Sequence, residues 1–117
     1  MNVLILGLGI AGKHYFDLIK KMRPKRKIFF HDPFKKSNSK FNIDKISKEI
    51  LKKKDIKYAI IATPSYLHYR YAKLLIQNNV NLLIEKPFVL NLSNAKKLIH
   101  LNKSKKNKCW VVFQNRF

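Results

Sequence analysis

The chain contains little cysteine, few acidic residues and no long hydrophobic run. Its 117 residues include one cysteine, Cys109, which excludes an internal disulfide framework. No uncharged stretch reaches about 18 residues, so no membrane-spanning helix is expected. The apolar N-terminus follows no basic segment and is interrupted by glycines, which argues against a signal peptide. These absences favour a soluble cytoplasmic domain.

The remaining composition is that of a folded protein. Apolar residues make up 46% of the chain and aromatic residues 12%, which is too hydrophobic for a disordered polyelectrolyte. A length of 117 residues suits one domain with a sizeable core. No internal repeat or long linker divides the sequence. We therefore predict one domain over residues 1–117.

Acidic residues are scarce: 6 Asp and Glu stand against 26 Lys and Arg, which gives a net charge of +20. Such a charge attracts nucleic-acid phosphates. However, 22 of the cations are lysine, whereas proteins that read bases favour arginine. Abundant Lys, Ile and Asn are also typical of AT-rich coding sequences. We therefore expect the lysines to form solvated surfaces and do not expect a nucleic-acid partner. A basic nucleic-acid-binding protein stays as one alternative.

Short apolar runs alternate with stretches of helical periodicity. The predicted strands are Asn2–Leu6, Lys27–His31, Tyr58–Ala62, Val80–Ile84 and Cys109–Phe113, with a very short one at Phe41–Ile43. The predicted helices are Lys13–Met22, a stretch marked by Ile43, Ile46, Ile50 and Leu51, Tyr66–Asn78 capped by Ser65, and one capped by Ser93. Alternating strands and helices pair through right-handed crossovers. The fold class is therefore α/β, a doubly wound, mostly parallel sheet with a short second crossover.

A glycine-rich turn joins the first strand to the first helix. It has the G-x-G-x-x-G pattern, made by Gly7, Leu8, Gly9, Ile10, Ala11 and Gly12. Asp32 lies twenty residues beyond Gly12, at the end of the second predicted strand. In this context the pattern predicts a dinucleotide site: Gly7 permits the tight turn, Gly9 lets a pyrophosphate approach, and Gly12 lets helix and strand pack closely. The alternative is a glycine-rich turn without a ligand.

Asp32 bears on which dinucleotide binds. Its carboxylate can accept hydrogen bonds from ribose hydroxyls and would repel a 2′-phosphate, which favours NAD. Lys35 and Lys36 follow closely and could hold that phosphate, so NADP stays possible. No cluster of His, Cys, Asp and Glu has metal-ligand spacing, so no metal site is predicted.

Two further loops follow later strands. Ala62-Thr63-Pro64 precedes His68, and Glu85-Lys86-Pro87 follows the fourth main strand. Together with the glycine loop, His14 and Asp32, these motifs resemble the Gfo/Idh/MocA oxidoreductase family over essentially the whole chain. The resemblance implies a Rossmann domain that binds NAD(P), followed in the family by a larger α/β domain.

The resemblance implies a role for each of these positions. The cofactor-binding residues would be Gly7, Leu8, Gly9, Ile10, Ala11, Gly12, Asp32, Ala62, Thr63, Pro64, His68, Glu85, Lys86 and Pro87. Lys86 would also be the catalytic residue, orienting cofactor or substrate and assisting proton transfer. The family also implies a cis peptide bond before Pro87. A histidine on the helix surface is an equal alternative for His68, and His31 is expected to be structural.

The implied activity is hydride transfer between a nicotinamide cofactor and a sugar or nucleotide-sugar hydroxyl. Gln114-Asn115-Arg116-Phe117 is most similar to family members that act on nucleotide-linked sugars, such as UDP-linked uronic acids. The family's second domain, which supplies the substrate pocket and much of the oligomer interface, is not part of these residues. We therefore expect dinucleotide binding with little or no turnover. The alternative is a stand-alone nucleotide-binding or sensing module.

Three lysine-rich segments carry more than half of the positive charge. Residues 20–27, 52–57 and 103–108 hold 14 of the 26 cations. Each segment joins the C-terminus of a predicted helix to a strand, where cations complement the helix dipole. In a parallel α/β sheet these junctions share one edge. We therefore predict that the segments gather at the edge opposite the cofactor crevice.

Overall fold

Strands and helices alternate along the chain. The computed structural model describes residues 1–86, 91–105 and 108–111. The strands are β1 (Asn2–Leu6), β2 (Ile28–His31), β3 (Ile56–Ile61), β4 (Asn81–Ile84) and β5 (Cys109–Val111). The helices are α1 (Ile10–Met22), α2 (Lys48–Lys53), α3 (His68–Gln77) and α4 (Leu92–Lys103), with a 3₁₀ turn at Ser65–Leu67.

All five strands pair in parallel, in the order β2-β1-β3-β4-β5. β3 lies beside β1, with Leu4 opposite Ala59 and Leu6 opposite Ile61. The chain winds to one side of β1 through β2 and to the other side through β3, so a crevice opens where β1 and β3 end. This confirms the predicted α/β fold with a doubly wound parallel sheet.

The second crossover is short, as predicted, but two of its elements differ. The predicted strand Phe41–Ile43 is reduced to one parallel bridge between Asn42 and Phe30. The predicted helix begins only at Lys48, because Ser47 caps it by accepting a hydrogen bond from the Ile50 N–H at 3.2 Å. The backbone N–H of Ile43 is donated instead to the carbonyl of Phe30, at 2.8 Å.

Two predicted helix caps are wrong. Ser93 lies inside α4, and the cap is Asn91, whose side chain accepts a hydrogen bond from the Asn94 N–H at 2.8 Å. Asparagine caps helices as well as serine does, and it comes first along the chain. Ser65 is already the first residue of the 3₁₀ turn, and no side chain of the described residues caps that turn or α3.

The boundaries of the remaining elements differ by a few residues. β1 agrees with its prediction at both ends, whereas β3 begins two residues earlier, at Ile56. α1 begins at Ile10 rather than Lys13, so the second half of the glycine motif belongs to its first turn. The end of the last predicted strand, beyond Val111, lies outside the described residues.

The helices cover the two faces of the sheet unequally. Strand residues such as Leu4 and Ile61 are fully buried against apolar residues of α2, α3 and α4. The alternating residues point towards the other face, where Ile19 of α1 lies near Val3. Right-handed crossovers explain this division, because α1 is followed by a strand on the opposite side of β1 from the others.

The three lysine-rich segments lie at the amino edge of the sheet, defined here by the N-terminal ends of its strands. Residues 20–27 lead from α1 into β2, residues 52–57 from α2 into β3, and residues 103–108 from α4 into β5. Since the strands are parallel, these junctions share the edge opposite the crevice. The predicted placement is confirmed for the described cations, while Lys106 lies outside the described residues.

None of the helices in the described ranges has the length and hydropathy needed to span a membrane.

Candidate functional site

A cleft of about 450 Å³ opens at the carboxyl ends of the strands. The glycine loop, the residues after β2 and the loop after β3 line it: Gly7, Gly9, Ile10, Ala11, Asp32, Phe34, Lys35, Ala62, Thr63 and Pro64. The structure therefore brings eight of the residues predicted to bind the cofactor to one cleft. Leu8 and Gly12 belong to the same loop but lie outside this lining. Phe34 was not predicted, because no motif marks its position.

Each glycine of the motif meets a different spatial requirement. Gly7 has a φ of +107°, and a Cβ there would lie 2.6 Å from the Ala62 carbonyl oxygen. A Cβ at Gly12 would collide with the Gly7 carbonyl oxygen. At Gly9, by contrast, a Cβ would meet no described atom within 4 Å. Gly7 and Gly12 are therefore required by the fold itself, whereas the space at Gly9 is open towards the cleft.

The N-terminus of α1 supplies hydrogen-bond donors to this cleft. Gly9 is the N-cap, and the Lys13 N–H is the first in the helix to reach a carbonyl one turn back, that of Gly9 at 3.0 Å. The N–H groups of the preceding first-turn residues have no such acceptor and carry the positive end of the helix dipole. Anions bind readily at such a helix end.

Asp32 holds the glycine loop in place. Its Oδ2 accepts a hydrogen bond from the Leu8 N–H at 2.7 Å, and its Oδ1 accepts from the Phe34 and Lys35 N–H groups at 2.8 and 3.2 Å. These three bonds occupy most of the acceptor directions of a carboxylate, which offers about four. One direction on Oδ2 is left for a ligand. The spacing in the sequence predicted a ligand contact and did not reveal this bond to the loop.

Thr63 has a buried hydroxyl in the wall of the cleft. The residue is 7% exposed, and its Oγ1 has no hydrogen-bond partner among the described residues. Leaving a buried hydroxyl without a partner costs about 1–3 kcal/mol, so such atoms usually mark a place that something else fills. Gly9 and Thr63 line the same cleft, so its open space and this unpaired oxygen in its wall fit a polar ligand that lies across it.

His68 lies behind the cleft rather than on the helix surface. It is 1% exposed, and its Nε2 donates a hydrogen bond to the Thr63 carbonyl at 2.8 Å. The surface alternative is therefore wrong, because α3 turns this position inward. A residue so deeply buried acts by fixing the loop that carries Thr63.

Tyr15 connects α1 to the loop after β4. Its hydroxyl donates a hydrogen bond of 2.7 Å to Oε1 of Glu85, and Oε2 of Glu85 accepts one from the Lys86 N–H at 3.2 Å. Partial burial and the neighbouring Glu85 carboxylate raise the pKa of Tyr15 to about 12. The sequence did not predict this contact, because no motif marks the position of Tyr15.

The predicted catalytic loop is described in part. Lys86 is exposed at the end of the strand next to β3, and neither it nor Glu85 lines the cleft. Pro87 and the bond before it lie outside the described residues. The hydrogen bond from Tyr15 therefore holds this loop close to α1. The role of Lys86 stays a prediction.

His31 has the structural role predicted for it. It is buried at the end of β2, where its Nδ1 donates to the Ile43 carbonyl at 2.7 Å and its Nε2 accepts from the Tyr71 hydroxyl at 3.1 Å. In the described parts of the chain, no group of three or more His, Cys, Asp or Glu could hold a metal ion.

Comparisons with known proteins agree with this geometry. YhhX of Escherichia coli (strain K12), an uncharacterized oxidoreductase, is 40% identical over 57 residues, which are 49% of this chain and 16% of that protein. GenD2 from gentamicin A biosynthesis, solved in complex with NAD, superposes with a TM-score of 0.80 at 19% identity over 95% of this chain and 34% of its own. Biliverdin reductase from Synechocystis sp. PCC 6803, solved with biliverdin and NADP+, gives a TM-score of 0.78 at 23% identity over 94% of this chain and 37% of its own.

These structural likenesses show the fold. The chain spans about a third of the length of the solved structures, with GenD2 at 34% and a dehydrogenase (MviM) from Clostridium difficile at 38%. The Gfo/Idh/MocA model, described as an oxidoreductase family with an NAD-binding Rossmann fold, matches residues 1–113. The chain therefore belongs to the Gfo/Idh/MocA oxidoreductase family, of which it forms an NAD-binding Rossmann domain.

Proposed function

We propose that this domain holds NAD across the carboxyl edge of the sheet, as the cofactor half of an enzyme that transfers hydride to or from a sugar or nucleotide-sugar hydroxyl. One observation carries the proposal: a single cleft combines open space at Gly9 with a buried Thr63 hydroxyl that no described residue satisfies. When bound, the nicotinamide supplies the hydride chemistry. The protein supplies binding, orientation and electrostatics.

The glycine loop would hold the pyrophosphate. The first-turn N–H groups of Ile10, Ala11 and Gly12 are oriented by α1, and Gly9 lets the phosphates approach them. Asp32 would keep this loop in shape through Leu8 and offer its remaining acceptor direction to a ribose hydroxyl. Ala62, Thr63 and Pro64 would form the facing wall, positioned by His68.

Lys86 would be the catalytic residue of the domain. It follows β4, which lies beside β3 and so ends on the cleft side of the sheet. Its exposed ammonium would orient the cofactor or substrate and assist transfer of the hydroxyl proton. Glu85, fixed by Tyr15, would hold the loop against α1, with Pro87 completing the motif.

The proposal names only a class of substrate, whereas it names a specific cofactor. A sugar hydroxyl follows from membership of the family, and a nucleotide-linked sugar rests on Gln114-Asn115-Arg116-Phe117, which lie outside the described residues. The comparisons add no support for that finer type. Substrate must be held against the nicotinamide at near-attack distance, which one Rossmann domain does not achieve alone. We therefore expect this chain to bind NAD and to show little or no turnover of UDP-linked uronic acids in an absorbance assay at 340 nm.

A cytoplasmic location is part of the proposal. Cys109 is a free thiol, and burial raises its pKa to about 11. A thiol kept protonated and half-buried suits a reducing compartment.

Calorimetric titration with NAD and NADP tests the proposal. We expect the parent chain to bind NAD more tightly than NADP, because the Asp32 carboxylate repels a 2′-phosphate. Gly9→Val should weaken NAD binding at least tenfold, since its side chain fills the space left for the phosphates. Its cost to folding should stay at about 1 kcal/mol or less, the cost of a poorer N-cap residue.

Gln77 is exposed at the C-terminal end of α3, far along the helix from His68. Gln77→Val is therefore the matched control and should bind NAD like the parent. If neither cofactor binds the parent chain, the proposal fails. Tighter binding of NADP would instead reverse the assignment of the cofactor and leave the site in place.

A further inference from the structure

The amino edge of the sheet concentrates charge of one sign. The described parts of the three lysine-rich segments, residues 20–27, 52–57, 103–105 and 108, contain 13 cations and one carboxylate, that of Asp55. That carboxylate lies 3.0 Å from the N-terminal ammonium and 4.0 Å from Nζ of Lys57. A surface with this imbalance produces a strong local positive potential.

This edge is concave rather than flat. A hollow of about 650 Å³ lies between the N-terminus and the turn from α1 to β2. Its lining consists of Met1, Asn2, Met22, Arg23, Pro24, Lys25, Arg26 and Lys27. The hollow is larger than the cofactor cleft and lies at the opposite edge of the sheet, so the two surfaces are independent.

Side-chain hydrogen bonds to backbone carbonyls hold the first two basic segments in fixed relative positions. Nζ of Lys20 donates to the Arg26 carbonyl at 3.1 Å, and Nη1 of Arg26 donates to the Met1 carbonyl at 3.3 Å. The side-chain amide of Asn2 donates to the Lys54 carbonyl at 2.7 Å, which joins the first segment to the second. The cations therefore project from an ordered surface rather than from a tail.

The interval between neighbouring segments is close to the width of a major groove. β2 and β3 are separated by two strand positions, as are β3 and β5, so successive segments begin about 10 Å apart. The major groove of duplex DNA is about 12 Å wide between its phosphate rows. Two neighbouring segments can therefore contact the phosphates on the two sides of one major groove.

We propose that the amino edge binds the phosphate backbone of double-stranded nucleic acid without reading its sequence. The three segments contain only two arginines, Arg23 and Arg26, and no aromatic residue. Lysine neutralises phosphate but lacks the planar fork that reads guanine, so the contacts carry no base preference. The absence of aromatic residues disfavours a membrane surface, where such side chains insert beside the cations.

Fluorescence anisotropy with a labelled 20-base-pair duplex tests this proposal. The edge variant replaces Lys21, Lys25, Lys52 and Lys53 with Gln. A control variant with the same reduction in charge replaces Lys48, Lys73, Lys96 and Lys97 with Gln, which lie outside the three segments. All eight side chains are exposed, so both variants should fold. Affinity is measured from 50 to 200 mM salt, with and without NAD.

We expect the parent to bind duplexes of different sequence equally and to weaken about a thousandfold or more over this salt range, as six or more phosphate contacts require. The edge variant should bind at least tenfold more weakly, with a salt slope flatter by about 0.9 for each phosphate that it no longer neutralises, while the control stays within about threefold of the parent. Saturating NAD should leave duplex affinity unchanged, because the cofactor cleft lies at the other edge.

Equal weakening in the two variants would overturn the proposal, since net charge alone would then explain binding. Absence of duplex binding at 50 mM salt would overturn it as well. Binding to vesicles that contain phosphatidylserine, without duplex binding, would assign the edge to a membrane surface instead.

Discussion

At the residue scale, a substitution at Thr63 separates an effect on NAD affinity from an effect on the free energy of unfolding most clearly. Its hydroxyl is buried in the cleft wall without a described partner. Thr63→Val keeps the shape and removes the unpaired oxygen, so we expect the free energy of unfolding to stay the same or rise by about 1 kcal/mol. NAD affinity should fall by roughly tenfold, the value of one hydrogen bond. Urea unfolding and calorimetry measure the two effects.

Thr63→Ser is the matched control, because it keeps the hydroxyl and should retain NAD binding. A Thr63→Val protein that is destabilised by more than about 1 kcal/mol and binds NAD normally would show that the hydroxyl serves the fold instead.

Residue roles were predictable where the backbone dictates them. The requirement for Gly7 and Gly12 follows from a tight turn and a close helix, and the structure meets both. The bond from Asp32 to Leu8 and the burial of His68 depend on how distant segments pack. No local pattern contains that information, which is why His68 was equally consistent with a surface position.

At the scale of elements, the hydrogen bond between Tyr15 and Glu85 couples α1 to the loop after β4. Tyr15→Phe removes this bond and should lower the free energy of unfolding by about 1 kcal/mol, since the pair is only partly buried. If Glu85 and Lys86 contact the nicotinamide half, the variant should weaken NAD binding and leave ADP binding unchanged. Tyr58→Phe, an exposed tyrosine on β3, is the control. Equal weakening of NAD and ADP binding would contradict this positioning role.

The same bond makes the free energy of unfolding depend on pH in the alkaline range. The pKa of Tyr15 is about 12 in the folded protein and about 10 in the unfolded chain, so below pH 10 the phenol is protonated in both. Between pH 10 and 12 it ionises only on unfolding, and the stability contributed by the protonated phenol is lost as the pH rises. Denaturant titrations should show a smaller loss over this window in Tyr15→Phe. An identical loss would contradict the assignment.

The cap of α4 gives a second prediction at this scale. Asn91→Ala should destabilise the protein by about 1 kcal/mol, because the Asn94 N–H loses its acceptor. Ser93→Ala, two residues along the same helix, should change the free energy of unfolding by less than about 0.5 kcal/mol. Thermal or urea unfolding distinguishes the two, and the reverse order would restore Ser93 as the cap.

Element types were predictable because apolar runs and helical periodicity are strong along this chain. The first residues of the helices were less predictable. Asn91 and Ser93 are both good caps, and only the fold selects between them. Phe41–Ile43 lies along the outer side of β2, which is an edge strand, and pairs with it only at Phe30. It therefore forms one bridge instead of a strand.

At the scale of the whole molecule, parallel topology divides the surface into two edges. The carboxyl edge carries the cleft with Asp32, and the amino edge carries the three basic segments. This division was predictable from the alternation of strands and helices. The exposure of apolar residues on the face of α1 was not predictable from the sequence. On this face Tyr58 is 38% exposed and Trp110 is 51% exposed. It follows from the direction of the crossovers, which place one described helix there and three on the other face.

Binding of NAD at the glycine loop underlies every role proposed for the cofactor cleft and for Lys86. An anionic cofactor on a chain of net charge +20 needs a test of the binding location as well as of affinity. Titration of the isotopically labelled chain with NAD, followed through its backbone amide NMR signals, supplies that test. We predict saturable shifts at Gly9, Ile10, Ala11 and Thr63, with little change over residues 20–27. Shifts confined to the basic amino edge, with the glycine loop unmoved, would contradict binding at the loop.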